Sequence, residues 1–253
     1  MSDKRPVVAY RNPAFLDSDA ARPVRILAEY LDPLRQFEAQ AVHDTVVFFG
    51  SARIREDGLL GRYYRDARSL ACSLTQWSMS LPEAGRFIVC SGGGGGIMEA
   101  ANRGAKDAGG KSIGLNIGLP HEQRPNAYIT PELGFEFHYF FMRKLWFAHL
   151  ARAMVVFPGG FGTLDELMEL LTLAQTRKLE RAIPILLFGR AYWDEVLDFQ
   201  ALARHGMIDE EDLRLFDFVD SPEHALALLQ AKLPCEERPC NVSFAKSKEP
   251  PSP

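Results

Sequence analysis

The chain has 253 residues, of which 47% are hydrophobic, so it can bury a large core as one domain. Its formal net charge of −4 argues against broad electrostatic binding of nucleic acid. No apolar run approaches the roughly 20 residues of a membrane-spanning helix, and the first residues lack the apolar core of a secretory signal, so we expect a cytoplasmic protein without nucleic-acid or membrane partners.

The predicted elements begin with an N-terminal arm and one helix over residues 1–43. Residues 1–25 are polar and rich in proline and arginine, as in a partly ordered lead-in. Apolar residues then recur at helical spacing and predict a helix over 33–42. At the opposite end, prolines and charges dominate residues 234–253, and we expect this tail to be disordered.

Residues 44–233 alternate between short apolar runs and segments with a helical repeat. The apolar runs predict strands at 45–49, 87–90, 112–117, 135–140, 153–157, 183–188 and 216–219. Helices are predicted over about 62–80, 97–105, 163–174, 192–203 and 222–229, and a further helix carries residues 142–144. This alternation indicates a parallel sheet covered on both faces, so we predict an α/β fold: a Rossmann-like, doubly wound parallel sheet in a single domain. The long loop over 118–133 is expected to be functional or mobile.

The most informative segment is Pro-Gly-Gly-Phe-Gly-Thr-Leu-Asp-Glu at 158–166, directly after the strand predicted at 153–157. The three glycines at 159, 160 and 162 let backbone N–H groups approach a bound group, and the helix start adds free donors and the positive end of its dipole. We therefore expect a phosphate there, bound also by Thr163, with the Glu166 carboxylate beside it. The alternative is a capping box, in which Thr163 and Glu166 only cap backbone donors.

Two further turns follow predicted strands, where parallel sheets bind their ligands. The run Gly92–Gly96 fits G-x-G-x-x-G in no frame, which excludes a typical nicotinamide or flavin dinucleotide site. We favour close approach of its backbone to a ligand over a merely flexible turn. At Gly50–Ser51, the serine can donate to a phosphate that Arg53 neutralises, or it can be an ordinary cap beside a solvated arginine.

Arg143 lies among apolar residues of a predicted helix, where an arginine usually has an assigned partner; the alternative is a surface position.

The four cysteines are too few for a disulfide framework in a chain of this length. Cys72 and Cys90 are expected to be buried thiols. Cys235 and Cys240 lack the spacing and histidines of a zinc site, so no metal is expected.

Together these segments resemble the Lonely Guy family, phosphoribohydrolases that cleave cytokinin riboside 5′-monophosphates or related adenine nucleotides, often labelled lysine decarboxylases in error. Residues 158–166 match the family signature Pro-Gly-Gly-x-Gly-Thr-x-x-Glu fully. Arg143–Lys144 matches the core of a second signature, Met-x-x-Arg-Lys, although Phe140 stands where the family has methionine. The resemblance covers roughly residues 44–232, and the long N-terminal lead is similar to the longer branch of the family.

The resemblance implies a catalytic pair, Arg143 and Glu166, in a nucleotide-binding domain over 44–233. It implies substrate contacts at Gly50, Ser51, Gly93, Gly94, Glu122, Met142, Lys144, Gly159, Gly160, Gly162, Thr163 and Thr172. It also implies hydrolysis of a nucleoside 5′-monophosphate to free base and ribose 5-phosphate, no cofactor, and a homodimer or larger homo-oligomer. A non-catalytic nucleotide-binding or carrier protein would use the same glycines. A decarboxylase would need a lysine-bound pyridoxal cofactor, and no lysine has a distinctive setting for one.

Overall fold

The structure, a computed structural model, describes residues 6–118, 124–179 and 182–233. Within these ranges one sheet of seven parallel strands organises the chain. The strands are β1 (Asp44–Phe49), β2 (Phe87–Ser91), β3 (Ser112–Ile117), β4 (Gly134–Phe137), β5 (Ala151–Val156), β6 (Ile185–Phe188) and β7 (Asp217–Val219). Their order is β4-β3-β2-β1-β5-β6-β7. The chain builds outward from β1, returns to the centre and builds to the other edge, which confirms the predicted Rossmann-like single-domain fold.

Helices cover both faces of the sheet. They are α1 (Pro13–Leu16), α2 (Arg22–Ala39), α3 (Gly61–Ser80), α4 (Ile97–Asp107), α5 (Phe140–Leu150), α6 (Phe161–Gln175), α7 (Arg190–Val196), α8 (Phe199–Arg204) and α9 (Pro222–Lys232). One core lies under α3, α4 and α9, and the other lies under α2, α5, α6, α7 and α8. In β1, Val46 and Phe48 belong to the first core, whereas Val47 and Phe49 belong to the second. Successive side chains point to opposite faces, so a strand buried on both sides is apolar throughout.

The helix predicted over 33–42 corresponds to α2, which is longer than predicted. It begins at Arg22 rather than near Pro33, and Pro33 lies inside it. A proline has no N–H, so the carbonyl four residues earlier, that of Glu29, loses its helical partner. Here the indole N–H of Trp146 on α5 donates to that carbonyl at 3.1 Å. The predicted helix start near Pro33 was wrong, because a distant side chain satisfies the carbonyl that Pro33 leaves free and the helix continues through the proline.

Other boundaries also differ from the prediction. The single helix predicted over 192–203 is two helices, and the Asp198 side chain caps the second by accepting the N–H of Ala201. The fourth strand ends at Phe137 rather than at Phe140, because Phe140 begins α5. The predicted tail over 234–253 lies outside the described residues. In the ranges that the structure describes, no helix is long and apolar enough to cross a membrane.

Candidate active site

Three of the turns predicted from sequence meet at the carboxyl edge of the sheet. The strand order reverses between β1 and β5, and such a reversal opens a crevice for ligands. The N–H of Ser51, after β1, donates to the carbonyl of Pro158, after β5, at 3.0 Å. The Ser51 carbonyl in turn accepts the N–H of Ile97, at the start of α4, at 3.1 Å. The turn containing Gly50 and Ser51 is therefore held between the other two glycine turns.

The turn after β5 is the open one. The helix α6 begins at Phe161 with Gly160 as its N-cap, and no side chain caps it. A Cβ at Gly160 or Gly162 would meet no atom within 4 Å, whereas a Cβ at Gly159 would lie 2.0 Å from the Thr163 hydroxyl oxygen. Gly159 is thus required by packing, and the other two glycines leave the helix start uncovered. Uncapped N–H groups at the positive end of a 15-residue helix suit an anion.

The capping-box alternative for Glu166 is wrong. Since Gly160 is the N-cap, Thr163 is the third residue of α6 rather than the residue that caps it. The Glu166 carboxylate lies one turn further along and accepts a hydrogen bond from Arg143 instead, with Nη2 and Oε1 3.1 Å apart. Glu166 therefore has a partner on another helix, not on its own backbone.

Arg143 and Glu166 form a nearly buried ion pair between α5 and α6. Their side chains are 14% and 6% exposed. The guanidinium also lies 5.4 Å from the ring centre of Phe140 and 5.6 Å from that of Phe147. Its Nε is buried and has no hydrogen-bond partner in the part of the chain that the structure describes. An unpaired buried donor is costly, so a hydrogen bond from this N–H to an acceptor would be favourable.

Burial dominates the electrostatics of this pair. It raises the pKa of Glu166 to about 7, even though the nearby charges of Arg143 and Lys144 lower it. Burial likewise lowers the pKa of Arg143, and the attraction of Glu166 opposes that change. Desolvation disfavours the charged form of either group. The charge of Arg143 therefore only partly offsets the loss of water around the Glu166 carboxylate. With a pKa of about 7, Glu166 is divided between its acid and ionised forms near neutral pH.

Lys144 links the same two helices. Its Nζ lies 2.9 Å from Asp165 Oδ2 and 2.7 Å from Glu169 Oε2, the residues on either side of Glu166 along α6. Both carboxylates raise the pKa of Glu166, and the ammonium lowers it. Lys144, a predicted contact residue, thus lies close enough to Glu166 to affect its pKa, and its ammonium group is paired with two other carboxylates.

The remaining predicted contacts are placed less uniformly. Met142 is buried in the core beneath α5. Thr172 is exposed, and its hydroxyl donates to the Met168 carbonyl within α6 at 2.7 Å. Glu122 lies outside the described residues. Of the predicted cysteines, Cys90 is buried and Cys72 is partly buried, while Cys235 and Cys240 are beyond the described ranges.

The chain's own packing accounts for two glycines of the run after β2. Gly93 and Gly96 have φ of +73° and +63°, a region that side chains rarely adopt. A Cβ at Gly93 would lie 2.3 Å from the Asn116 side-chain oxygen, and one at Gly96 would lie 2.2 Å from the Ser51 carbonyl oxygen. The side-chain amide of Asn126 also donates to the carbonyls of Gly93 and Gly94. Sequence reasoning missed Asn126, because an asparagine in a long loop carries no distinctive signal.

Sequence reasoning also missed Tyr192, on α7. Its hydroxyl donates to the Gly159 carbonyl at 2.7 Å. A crevice of about 390 Å³ opens beside this contact and is lined by Ser51, Arg53, Gly160 and Tyr192, among others. The Ser51 hydroxyl accepts the N–H of Arg53 at 3.1 Å in a local turn, and the exposed Arg53 lines the crevice.

A larger hollow of about 630 Å³ lies at the β7 edge and includes none of the predicted site residues. Among the residues in the described ranges, no group of three or more His, Cys, Asp and Glu side chains is arranged to hold a metal ion.

The fold and the site define a Rossmann-like α/β protein with an uncapped helix start beside a buried arginine–glutamate pair. A family model described as "possible lysine decarboxylase" matches residues 98–229, just over half of the chain, including Arg143 and Glu166. The chain belongs to this family, which confirms the Lonely Guy resemblance.

Several relatives carry names of one activity. The chain is 28% identical over 172 residues to the probable cytokinin riboside 5′-monophosphate phosphoribohydrolase LOGL5 of Oryza sativa subsp. japonica, with 66% of this chain and 67% of the relative covered. It is 27% identical over 191 residues to the phosphoribohydrolase LOG of the same plant, covering 74% and 73%. It is 26% identical over 157 residues to LOG3 of Arabidopsis thaliana, covering 60% and 70%.

Solved structures share the fold at lower identity. The structural-genomics target TM1055 superposes with a TM-score of 0.53 at 20% identity, covering 74% of this chain and 99% of its own. A molybdenum cofactor binding protein from Rippkaea orientalis superposes with a TM-score of 0.51 at 18% identity, covering 74% and 96%. These likenesses establish the architecture alone.

Proposed function

We propose that the protein hydrolyses the N-glycosidic bond of an adenine or cytokinin nucleoside 5′-monophosphate and releases free base and ribose 5-phosphate. The observation that carries this proposal is the buried Arg143–Glu166 pair, held about one and a half turns from the uncapped start of α6. The names of the relatives support the same reaction. The net change adds water across one bond, so the chemistry calls for no redox or group-carrying cofactor.

The phosphate is the anchor of the bound nucleotide in this proposal. The uncapped N–H groups at the start of α6, beside Gly160 and Gly162, hold the 5′-phosphate, and Arg53 lies on the wall of the adjoining crevice. Binding energy from this remote group fixes the ribose against the reacting groups. The open space at the two glycines leaves room for that anion.

Glu166 then acts on the anomeric carbon. Breaking the C1′–N bond builds positive charge on the ribose, and an ionised carboxylate beside it stabilises that charge. The same carboxylate orients the water whose oxygen bonds to C1′, and the proton released from that water is balanced by the one that the departing base takes up. A carboxyl pKa of about 7 is close to a working pH near neutrality, as general base catalysis favours. Arg143 directs its unpaired Nε–H at a substrate oxygen.

A product assay tests the proposal. Purified protein is incubated with adenosine monophosphate or an N6-substituted analogue, and free base and ribose 5-phosphate are quantified. The Glu166→Gln variant should lose about 10³-fold in turnover while it retains nucleotide affinity measured by calorimetry. Glu195→Gln, at an exposed position on α7, is the matched control and should behave as the wild type. Undiminished turnover in Glu166→Gln would remove this residue from the mechanism.

The same assay separates the enzyme from a non-catalytic nucleotide-binding or carrier protein. A carrier would bind nucleotide through the glycine turns and form no product. It has no need of a carboxyl group buried at 6% exposure between two basic residues, which carries a cost in stability. Saturable binding without any released base would establish the carrier function instead.

A decarboxylase is not supported by the site. Lys144 is the lysine next to Glu166, and pyridoxal would need an amine that loses its proton readily. Burial lowers the pKa of Lys144, but the hydrogen bonds to Glu169 and Asp165, together with the charges of Glu166 and Glu169, outweigh burial and raise the pKa above its ordinary value. The ammonium form is therefore stabilised by two carboxylates, which does not fit a Schiff-base lysine.

We also propose that the protein forms a homodimer or a larger homo-oligomer. Phe140, Phe141 and Leu145 on α5 and Phe161 at the start of α6 are large apolar side chains exposed to solvent, and Phe161 is 92% exposed. Apolar surface of this kind often marks a protein–protein contact. Light scattering after gel filtration should give at least twice the 28.3 kDa chain mass. The Phe141→Glu variant should give the monomer mass if this surface is the interface.

A further inference from the structure

The N-terminal helix α2 contacts the chain directly before α5. The Glu29 carboxylate accepts the backbone N–H of His138 at 2.8 Å through one oxygen and that of Tyr139 at 3.2 Å through the other. Tyr139 is the N-cap of α5, and its own side chain makes no cap hydrogen bond. A carboxylate at a helix start satisfies free donors and interacts favourably with the helix dipole. Glu29 therefore binds, from another helix, the two backbone N–H groups directly before the first residue of α5.

The same residue contacts α5 a second time. Its backbone carbonyl, left free by Pro33, accepts the indole N–H of Trp146 at 3.1 Å. The ring of Tyr30 stacks on Trp146, with their centres 5.4 Å apart, and Phe37 contacts Trp146 edge-on. Both ends of Glu29 thus hold α5, one before its first turn and one nearly two turns along.

Arg143 lies between these two attachments. Its backbone N–H donates to the Tyr139 carbonyl at 3.2 Å, while the N–H of Tyr139 donates to Glu29. The peptide groups of one residue therefore connect the Glu29 carboxylate to the backbone of Arg143. The Arg143 side chain continues this path to Glu166. Residue 29 lies outside the 98–229 segment that the family model matches.

We propose that Glu29 is a positioning residue, which fixes the start of α5 and thereby sets the contact between Arg143 and Glu166. Its catalytic consequence rests on the proposed function, but the contact itself does not. The N-terminal helix is then part of the active-site support rather than a separate arm.

The pKa of Glu166, followed by carbon NMR of its carboxyl group without substrate, tests this role. The groups that surround this carboxyl are Arg143, Lys144, Asp165 and Glu169. In Glu29→Ala, the Arg143 guanidinium should move away from Glu166. Because the nearby positive charge is then weaker, the pKa of Glu166 should rise by about one unit. Removing the negative charge of Glu29 would by itself lower that pKa, so the direction of the change separates positioning from a simple charge effect. The Glu166→Gln variant assigns the signal.

Three further variants complete the test. Glu29→Gln keeps one acceptor oxygen and should restore part of the effect, and Trp146→Phe removes only the second attachment. Glu38→Ala, at an exposed site on the same helix, is the control and should change nothing. With nucleotide, Glu29→Ala should lower kcat about tenfold with little change in KM.

The outcomes separate the two proposals. If the Glu166 pKa rises in Glu29→Ala but the wild-type protein releases no base, the positioning role is supported and the phosphoribohydrolase activity is refuted. An unchanged pKa and unchanged kcat in folded Glu29→Ala would overturn positioning. If Glu29→Ala does not fold, the other two variants decide. A lower melting temperature with an unchanged Glu166 pKa in both Glu29→Gln and Trp146→Phe would overturn the positioning role.

Discussion

The two glycine turns after β2 and β5 look alike in sequence and differ in the folded chain. In the five-glycine run Gly92–Gly96, the Asn116 side chain and the Ser51 carbonyl occupy the space that side chains at positions 93 and 96 would need. The shorter turn after β5 leaves open space at Gly160 and Gly162. The number of glycines therefore does not indicate which turn is free for a ligand. The helices that follow both turns begin at a glycine N-cap without a side-chain cap, but the first N–H of α4, that of Ile97, already donates to the Ser51 carbonyl.

Alanine substitutions test this contrast most directly through stability. Gly96→Ala should destabilise the protein by about 3 kcal/mol, because it combines a positive φ with a backbone oxygen at 2.2 Å. Gly162→Ala, in the first turn of α6, should be neutral or stabilising by up to about 1 kcal/mol. Denaturant unfolding of both variants measures the difference. Equal losses would show that the turn after β5 is as tightly packed as the turn after β2.

A charge placed at Gly160 tests whether the open turn binds an anion. Aspartate and serine are both good N-cap residues, so Gly160→Asp and Gly160→Ser should each maintain or raise the melting temperature. Only the aspartate repels a phosphate, and it should weaken adenosine monophosphate binding at least about tenfold, or 1.4 kcal/mol. The serine variant is the matched neutral control. Similar affinities for the two variants would place the phosphate elsewhere.

The pH profile tests the carboxyl group beside the open turn. With a pKa of about 7, Glu166 should make kcat/KM rise with pH through neutrality and level off above it. The charge of Lys144 lowers that pKa, so Lys144→Met should move the rise to higher pH by about half a unit or more. The substrate phosphate titrates identically with both proteins. Coincident profiles would assign the rise to the substrate instead of Glu166.

The ionisation of Glu166 should lower the stability of the fold as the pH rises, whereas it raises the activity. The pKa of Glu166 is raised from its ordinary value of 4.5, so its contribution to stability is fully present below about pH 4.5 and is lost as the pH rises through about 7. The Glu166→Gln variant cannot ionise there. It should therefore gain more stability relative to the wild type at pH 8 than at pH 5, as measured by thermal unfolding at both values.

The sequence by itself determined the fold class and the position of the turn after β5. A strand buried on both faces is continuously apolar, and the glycines and helix start that follow it are consecutive in the chain, so their physics is local. The tertiary structure alone decided which turn stays open, how far α2 extends past Pro33, and whether Glu166 is a cap or a buried acid. Each of these depends on a distant partner: Asn116 against Gly93, Trp146 at the carbonyl of Glu29, and Arg143 at Glu166. Burial and contact between remote segments are properties of the packed chain, and no local pattern encodes them.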